Sequence, residues 1–307
     1  MNYPDIFLTP EYQLLFSKTA FGGAMGYFKS DGVEYRFYRR SVEGTPYRDV
    51  ISPYGYSGPV AIGKDANWAS FLAYFHDYCK QENIVTEFAR LHPFLGNHQY
   101  LAPIKEEHNI IYLDLTQSID SIKRGMNKSN KSLMNGHSKL DVYISPKNST
   151  LSWFAKIYQQ TMVRDKANPA YLFDARFFNY ASECLGEHLI AFEAWAQSVL
   201  VGGSLFLCYG DFIHYWFSGT IDHTANWGVS HDILCEVIKW AKAEGYKVMN
   251  LGGGLKGGDS LEGFKCTFSP LVKPFYTYRK IHNWEAYMEL CKGIDLNSEG
   301  FFPAYRR

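Results

Sequence analysis

The stretch "SHDILCEVIKWAKAEGYKVMNLG" (residues 230–252) shows most directly how the chain folds. Its first part repeats apolar residues at helical spacing and ends at Gly245, so residues 230–245 are predicted to form an amphipathic helix. The run after that glycine is short and mostly apolar, which favours a strand over residues 246–252. The apolar face of the predicted helix consists of Ile233, Leu234, Val237, Ile238 and Ala241.

The elements around this helix occur twice along the chain. Three short β-type runs separated by tight turns precede the helix, at residues 188–196, 199–210 and 211–220. The first half has the same order: a meander between residues 25 and 56, a helix over residues 68–83 and a strand over residues 84–91. Meander, helix and strand in the same order twice predict two similar α+β domains.

The predicted domain organisation follows from this repeat. We expect an N-terminal domain over residues 1–115, a basic linker or helix over 116–150, a C-terminal domain over 151–280, and a closing helix and tail over 281–307. The basic side chains of the linker either bind phosphate groups of a donor or acceptor or form a solvated helix face. These side chains are Lys123, Arg124, Lys128, Lys131 and Lys139.

Composition and charge exclude several classes of protein. The chain has 307 residues, 46% of them apolar, so it can bury a sizeable core. It has 31 basic and 31 acidic side chains, so no overall field attracts nucleic acid. The six cysteines include no Cys-x-x-Cys pair, which favours reduced thiols over a disulfide framework, and the histidines show no metal-ligand spacing.

The sequence also predicts where the protein is found. The N-terminus lacks the basic flank and long apolar run of a signal peptide. No uninterrupted apolar run reaches the length of about 18 residues that a membrane span requires. We therefore expect a cytoplasmic protein without a transmembrane segment.

Four motifs together carry a resemblance to a known family. They are "SPYGYSGP" (52–59), "EFARLHP" (87–93), "YQQTMVRDKANPAYLF" (158–173) and "NLGGGLKGGDSLEGFKCTFSP" (250–270). Over nearly its whole length the chain resembles the Fem-type (FemAB-like) aminoacyl and peptidyl transferases, a branch of the GNAT acyltransferase superfamily. The resemblance implies an α+β fold of two tandem GNAT-like domains, each a mixed, mostly antiparallel sheet with flanking helices.

The resemblance also implies a reaction. Fem-type enzymes move an activated acyl or aminoacyl group onto a free amine, and well-known members take it from a charged tRNA and modify a peptidoglycan precursor. We therefore expect an acyltransferase acting on a cell-wall or polysaccharide precursor. The neighbouring alternatives are an acyl-CoA- or carrier-protein-dependent N-acyltransferase acting on an amino sugar, and a non-catalytic binding module with the same fold.

One departure from the superfamily bears on the donor. Ordinary GNAT enzymes hold the coenzyme A pyrophosphate on a glycine-rich loop with an arginine or glutamine, just before the long helix. This chain has "DHTANWGVSHD" (222–232) there, with one glycine, Gly228, and no arginine. We therefore favour aminoacyl-tRNA over acyl-CoA as co-substrate, and expect no tightly bound cofactor and no metal. The linker departs as well, since it is rich in lysine, serine and asparagine where relatives often carry an arginine-rich helix.

The reacting centre is predicted in the glycine-rich stretch near the C-terminus. In relatives the Phe-Lys pair of this motif lies at the reacting centre, which corresponds to Phe264 and Lys265. A fixed ammonium there would stabilise the oxyanion of acyl transfer. The alternative is a salt-bridged lysine on a loop beside a core phenylalanine. Gly253 and Gly254 are predicted to let an extended substrate lie against bare backbone.

The first-domain motifs supply further candidates for substrate binding. By the resemblance, Tyr54 and Tyr56 line the acceptor groove. Arg90 and His92 lie where a first-domain strand ends, a common position for binding residues. Arg90 could clamp a phosphate or carboxylate, or form a structural salt bridge.

The second domain adds three candidates. Arg164 carries the same ambiguity as Arg90. His214 and Tyr215 alternate on one predicted strand, so one of them faces the core. Tyr215 is predicted to bind substrate, whereas His214 is either a general base or simply hydrogen-bonded. No Gly-x-Ser-x-Gly motif and no cysteine in a nucleophile context is present, which favours direct attack by the acceptor amine over an acyl-enzyme.

Overall fold

The computed structural model describes residues 3–145, 150–254, 257–296 and 301–307. Within this part the chain divides into two compact units. The first comprises Phe7–Glu107 and Pro274–Arg307 with Tyr3, and the second comprises His108–Lys273 with Pro4–Ile6. The domain boundaries drawn from the sequence remain a prediction.

Runs of consecutive strands are followed by helices along the chain, as expected for the α+β class. The strands are β1 (Ala24–Ser30), β2 (Val33–Ser41), β3 (Arg48–Ile51), β4 (Val60–Ala61), β5 (Ile84–Arg90), β6 (Ile104–Asp114), β7 (Asp141–Ile144), β8 (Leu189–Ala196), β9 (Val199–Tyr209), β10 (Phe212–Thr220), β11 (Val248–Gly252) and β12 (Val272–Ile281). The α-helices are α1 (Pro10–Phe16), α2 (Trp68–Gln81), α3 (Ile119–Gly125), α4 (Lys128–Met134), α5 (Ser152–Arg164), α6 (Ala175–Leu185), α7 (Val229–Ala243), α8 (Ser260–Cys266) and α9 (Trp284–Leu290). Short 3₁₀ helices include Asp222–Trp227, just before α7.

The sheet of the first unit follows the predicted meander. Strand β1 pairs antiparallel with β2, β2 pairs antiparallel with β3, and β4 extends the edge of β2. Helix α2 then crosses to β5, which pairs in parallel with β3, and β12 pairs antiparallel with β5. Side chains of α2 fill the core of this unit, as their helical spacing predicts; they are Phe71, Phe75 and Cys79.

The sheet of the second unit repeats the same topology. Strands β7, β8, β9 and β10 pair successively in antiparallel fashion. Helix α7 then crosses to β11, which pairs in parallel with β10, and β6 pairs antiparallel with β11. The predicted order of meander, helix and strand therefore holds in both units. The helical face predicted from the sequence is buried in the core of this unit: Ile233, Leu234, Val237, Ile238 and Ala241.

The predicted basic linker forms two short helices of the second unit, α3 and α4. Ile122 and Met126 lie in the core of that unit, so one side of this segment packs on its neighbours. Asn130 of α4 donates to the carbonyl and hydroxyl oxygens of Thr267, which ties the segment to the end of α8. The basic side chains Arg124, Lys128 and Lys139 are exposed.

Helix α9 buries a different face from the one expected. At helical spacing Trp284, Tyr287, Met288 and Cys291 fall on one side of this segment, which predicts that they face inward together. Tyr287 and Cys291 are buried with Ala286, but Trp284 and Met288 are 63% and 52% exposed. The helix spans only seven residues and packs on Val85. Its buried face is therefore narrower than the apolar stripe predicted from the sequence.

The six cysteines, all within the described residues, form no disulfide. Cys79, Cys208, Cys235 and Cys291 are buried. Burial raises the pKa of the Cys235 thiol to about 12. Among the described residues, no helix has the length and apolar character needed to cross a membrane.

Candidate active site

The two strands that carry the candidate residues pair over a short distance and then part. The parallel register between β10 and β11 runs from Phe212 opposite Val248 to His214 opposite Asn250. Strand β10 continues to Thr220, and its register with β9 shifts between Tyr215 and Phe217. The pair His214–Asn250 is therefore the apex of a fork in the sheet. Residues beyond this apex on either strand are free of the parallel ladder and can shape a site.

Lys265 lies on the β11 side of this fork. It belongs to α8, which begins where the side chain of Asp259 accepts a hydrogen bond from the backbone N–H of Glu262 (2.8 Å). The lysine is 7% exposed, and its Nζ donates to the carbonyl oxygen of Gly253 at 2.6 Å. The expectation of a lysine in a loop is therefore wrong, because the residue is helical and buried.

Burial changes the acidity of this lysine. Loss of hydration lowers the pKa of Lys265 from its ordinary 10.5 to about 8, and the nearby carboxylates of Asp259 and Glu262 oppose this shift. At pH 7 the ammonium form still outweighs the neutral amine by about ten to one. A cation with a lowered pKa in a dry environment interacts strongly with any negative charge that develops beside it.

The glycines before α8 are required by close packing. A Cβ on Gly253 would lie 2.5 Å from the ring of His108, and one on Gly254 would lie 2.2 Å from Oδ1 of Asp259. Both distances are far below van der Waals contact. The side that a Cβ would occupy is thus filled by protein, while the Gly253 carbonyl is held by Lys265. Substrate binding by Gly253 and Gly254 stays a prediction.

Phe264 lies in a small aromatic cluster next to Lys265. Its ring packs edge to face on His231 of α7, with 4.7 Å between centroids, and lies 5.4 Å from Phe268. Burial lowers the pKa of His231, which favours the neutral imidazole. The cluster joins α8 to the first turn of α7.

Tyr215 lies among hydroxyl groups on the other strand of the fork. Burial raises the pKa of its phenol, and hydrogen bonds with Ser218, Ser204 and Ser230 moderate the increase. Ser204 donates to Ser218 at 2.9 Å, and Ser218 lies 3.5 Å from Ser230 in the first turn of α7. The sequence analysis missed these serines, although Ser204 and Ser218 are register partners on neighbouring strands.

The other residues singled out in the second unit are held by protein partners. Arg164 forms ion pairs with Asp165 and Asp222 and donates to the carbonyl oxygen of Thr220 at 3.3 Å. These contacts match the salt-bridge alternative, and a role for Arg164 in substrate binding stays a prediction. His214, considered as a general base, is buried, with Asp5 and Asn250 within hydrogen-bond distance of its two ring nitrogens.

The first-unit candidates form two groups. The rings of Tyr56 and His92 lie 6.0 Å apart, and Nδ1 of buried His92 accepts a hydrogen bond from the backbone N–H of Phe94. Tyr54 packs in a separate aromatic group, 4.8 Å from Phe21 and 5.2 Å from Phe16. Both tyrosines thus pack against other aromatic side chains.

Arg90 has its guanidinium 5.1 Å from the centre of the Phe88 ring. Its backbone N–H donates to the hydroxyl of Ser52 at 3.1 Å. The roles of Tyr54, Tyr56, Arg90 and His92 in binding stay predictions. In the described part of the chain, no three His, Cys, Asp or Glu side chains are grouped so that they could hold a metal ion.

Known proteins share the domain family and the fold of this chain. Residues 147–265 match the model of the acetyltransferase (GNAT) domain family. The fold is similar to the crystal structure of FemX, with a TM-score of 0.65 and 13% identity over 91% of this chain and 97% of that one. No curated protein sequence matches the chain significantly.

Two further solved structures share the fold. One is the C-terminal domain of a putative lysylphosphatidylglycerol synthetase from Agrobacterium fabrum (TM-score 0.58, 13% identity, 86% of this chain and 85% of that one). The other is a tandem GNAT protein from the clavulanic acid biosynthesis pathway (TM-score 0.50, 10% identity, 89% and 88%). The predicted fold class and the resemblance to Fem-type proteins are thereby confirmed. The fold of the chain is thus similar to that of FemX and of a tandem GNAT protein, and its residues 147–265 match the acetyltransferase (GNAT) domain family.

Proposed function

We propose that the protein is an N-acyltransferase that moves an aminoacyl or other activated acyl group onto a free amine of a cell-wall or polysaccharide precursor. The amine nitrogen attacks the carbonyl carbon of an aminoacyl ester, forming a C–N bond and a tetrahedral oxyanion. Collapse of the oxyanion breaks the C–O bond to the donor. The nitrogen loses a proton, and the alcohol of the donor gains one. No acyl-enzyme is formed in this scheme.

The observation that carries the proposal is the buried ammonium of Lys265. Its pKa of about 8 keeps it mostly charged at pH 7, while burial keeps the surrounding dielectric low. Its bond to the Gly253 carbonyl fixes it beside the fork between β10 and β11. A cation held in this way stabilises an oxyanion without having to reorganise during the reaction.

Aminoacyl-tRNA is the donor that we favour. The loop before α7 carries one glycine, Gly228, in the left-handed conformation (φ 76°), in place of a glycine-rich phosphate loop. Similarity to FemX and to a putative lysylphosphatidylglycerol synthetase supports aminoacyl transfer. The exposed basic residues Arg124 and Lys128 on α3 and α4 offer contacts for a phosphate backbone. We place the reaction in the cytoplasm, where charged tRNA is found.

An acyl-CoA donor is the second candidate, because the matching family is described as an acetyltransferase. The two donors are separated by ligand-induced stabilisation. A ligand present at one hundred times its Kd stabilises the folded state by about 2.7 kcal/mol. We expect aminoacyl-tRNA, and not acetyl-CoA or coenzyme A, to raise the Tm. If acetyl-CoA or coenzyme A raises the Tm and aminoacyl-tRNA does not, acyl-CoA becomes the favoured donor.

Lys265→Met tests the mechanism itself. Methionine keeps most of the volume and removes the charge, so kcat should fall by about 100- to 1000-fold while KM changes little. Lys247→Met is the matched control, since that lysine pairs with Asp211 on the exposed surface of the same unit. If Lys265→Met retains activity within about fivefold of the wild type, the assigned role of the ammonium is wrong.

A further inference from the structure

A buried chain of hydrogen bonds crosses the apex of the fork. Nε2 of His214 lies 2.8 Å from Oδ2 of Asp5, and Nδ1 of His214 lies 3.2 Å from Nδ2 of Asn250. Oδ1 of Asn250 then accepts the backbone N–H of Gly252 at 2.8 Å. Asp5, His214 and Asn250 are each 2% exposed or less. This series of hydrogen bonds therefore runs from the N-terminal segment to the glycine turn at the end of β11.

The direction of every hydrogen bond in this chain follows from one fixed donor. The backbone N–H of Gly252 can only donate, so the Asn250 atom facing it must be the amide oxygen. The amide nitrogen of Asn250 then faces His214 and donates to Nδ1, which must carry a lone pair. His214 is consequently the neutral tautomer with its proton on Nε2, and it donates that proton to the carboxyl group of Asp5.

This tautomer leaves His214 with no catalytic use for its nitrogens. Its Nδ1 lone pair accepts from Asn250 and its Nε2 proton is donated to Asp5, which excludes the general-base role considered from the sequence. What the chain fixes is the position of Gly252, and the next residue is Gly253, whose carbonyl accepts from Nζ of Lys265 at 2.6 Å. Asp5, His214 and Asn250 thus influence the position of Lys265 through the Gly252–Gly253 turn.

We propose that Asp5, His214 and Asn250 form a positioning relay that holds the Gly252–Gly253 turn and thereby sets the location and the dry environment of the Lys265 ammonium. The assignment rests on the proposed role of Lys265. His214 and Asn250 are the last register pair before the strands part, so their side-chain bond closes the fork at its apex. Loss of this bond frees the turn, moves the Gly253 carbonyl and admits water to the lysine.

The test reads the environment of Lys265 directly and needs no activity assay. Lysine labelled with ¹³C at Cε and ¹⁵N at Nζ is incorporated, and the Lys265 signal is assigned by its absence in Lys265→Met. In the wild-type protein we expect this signal to titrate near pH 8. In His214→Leu it should titrate at higher pH, towards the ordinary lysine range, because the ammonium becomes hydrated.

The conservative variant separates positioning from simple packing. In His214→Gln the side-chain amide can donate to Asp5 and accept from Asn250, so the Lys265 titration should remain near pH 8. The kcat of His214→Leu should fall at least tenfold with little change in KM, and glutamine should restore most of it. An unchanged Lys265 titration in folded His214→Leu would overturn the relay, as would a Gln variant that behaves like the Leu variant.

Two complications have defined readings. If His214→Leu does not fold, Asp5→Ala removes the far end of the hydrogen-bond series without substituting a residue of β10 or β11. The Lys265 signal of this variant should shift in the same direction. No shift in folded Asp5→Ala overturns the relay. If the titrations behave as expected but Lys265→Met remains active, the relay stands and the proposed function falls, so the two failures can be told apart.

Discussion

Replacing Lys265 by methionine should separate the functional role of this residue from its effect on stability. A buried ammonium with a lowered pKa destabilises the folded protein at neutral pH, because the unfolded chain hydrates the charge fully. The lowering from 10.5 to about 8 corresponds to about 3 kcal/mol at pH 7, at 1.36 kcal/mol per pKa unit. Lys265→Met removes this cost.

The same substitution also removes a donor. The carbonyl oxygen of Gly253 loses its bond to Nζ, which costs about 1–3 kcal/mol for a buried acceptor. The two effects oppose each other at pH 7, so the free energies of unfolding of the variant and the wild type should differ by no more than about 2 kcal/mol. A lysine whose only task is a stabilising salt bridge predicts a clear loss of stability instead.

The pH dependence shows the sign of the effect. The folded-state pKa of Lys265 lies below that of the unfolded chain, so between pH 8 and 10.5 the folded state binds fewer protons and the wild type gains stability as pH rises. The variant lacks this gain. Urea unfolding at pH 7 and pH 10 should therefore show the wild type gaining about 2.5 kcal/mol relative to Lys265→Met.

Comparing the two proteins at each pH cancels the titration of all other groups. If both proteins show the same change in stability between pH 7 and pH 10, Lys265 does not carry a lowered pKa. Burial would then not perturb the ammonium of Lys265, and the proposed mechanism would lose its electrostatic basis.

Three further outcomes are expected. The kcat of the wild type should fall as pH rises through about 8, because the ammonium of Lys265 loses its proton; a kcat that rises over this range would mean that the neutral amine acts as a base. Gly254→Ala should lower the free energy of unfolding by about 1–3 kcal/mol, and the Tm with it, because its Cβ would meet Oδ1 of Asp259 at 2.2 Å. Gly257→Ala, which meets nothing within 4 Å, is its control, and equal Tm values for the two variants would contradict the packing argument. Finally, a thiol reagent should modify exposed Cys266 first in the native protein, and Cys266→Ser should abolish that fast phase.

The sequence alone determined the local elements and their order. Helix α7 follows the predicted spacing, since Ile233 and Val237 are four positions apart, as on one face of a helix, and both are fully buried. The meander before each helix was equally predictable, because tight turns and β-type residues act over a few positions. The motif around Lys265 led to the prediction of a site there, which stays a prediction, but not to the helix that carries the lysine.

The tertiary structure decided which distant segments meet. Strand β5 pairs with β12 and strand β11 pairs with β6. The periodicity of a single segment does not encode such pairings. The same holds at the site, where His214 meets Asp5 across 209 positions of the chain. The sequence analysis assigned Asp5 to the N-terminal domain and left it without a role.

The physical reason is the range over which each kind of information acts. Helical and strand periods reflect which face of a local element is apolar, so one segment suffices to read them. Hydrogen bonds between buried polar groups form only after the core has brought the segments together. The spacing of Asp5, His214 and Asn250 in the sequence therefore does not predict that they are in contact. The lowered pKa of Lys265 has the same origin, because its cause is burial by surrounding elements rather than any neighbour in sequence.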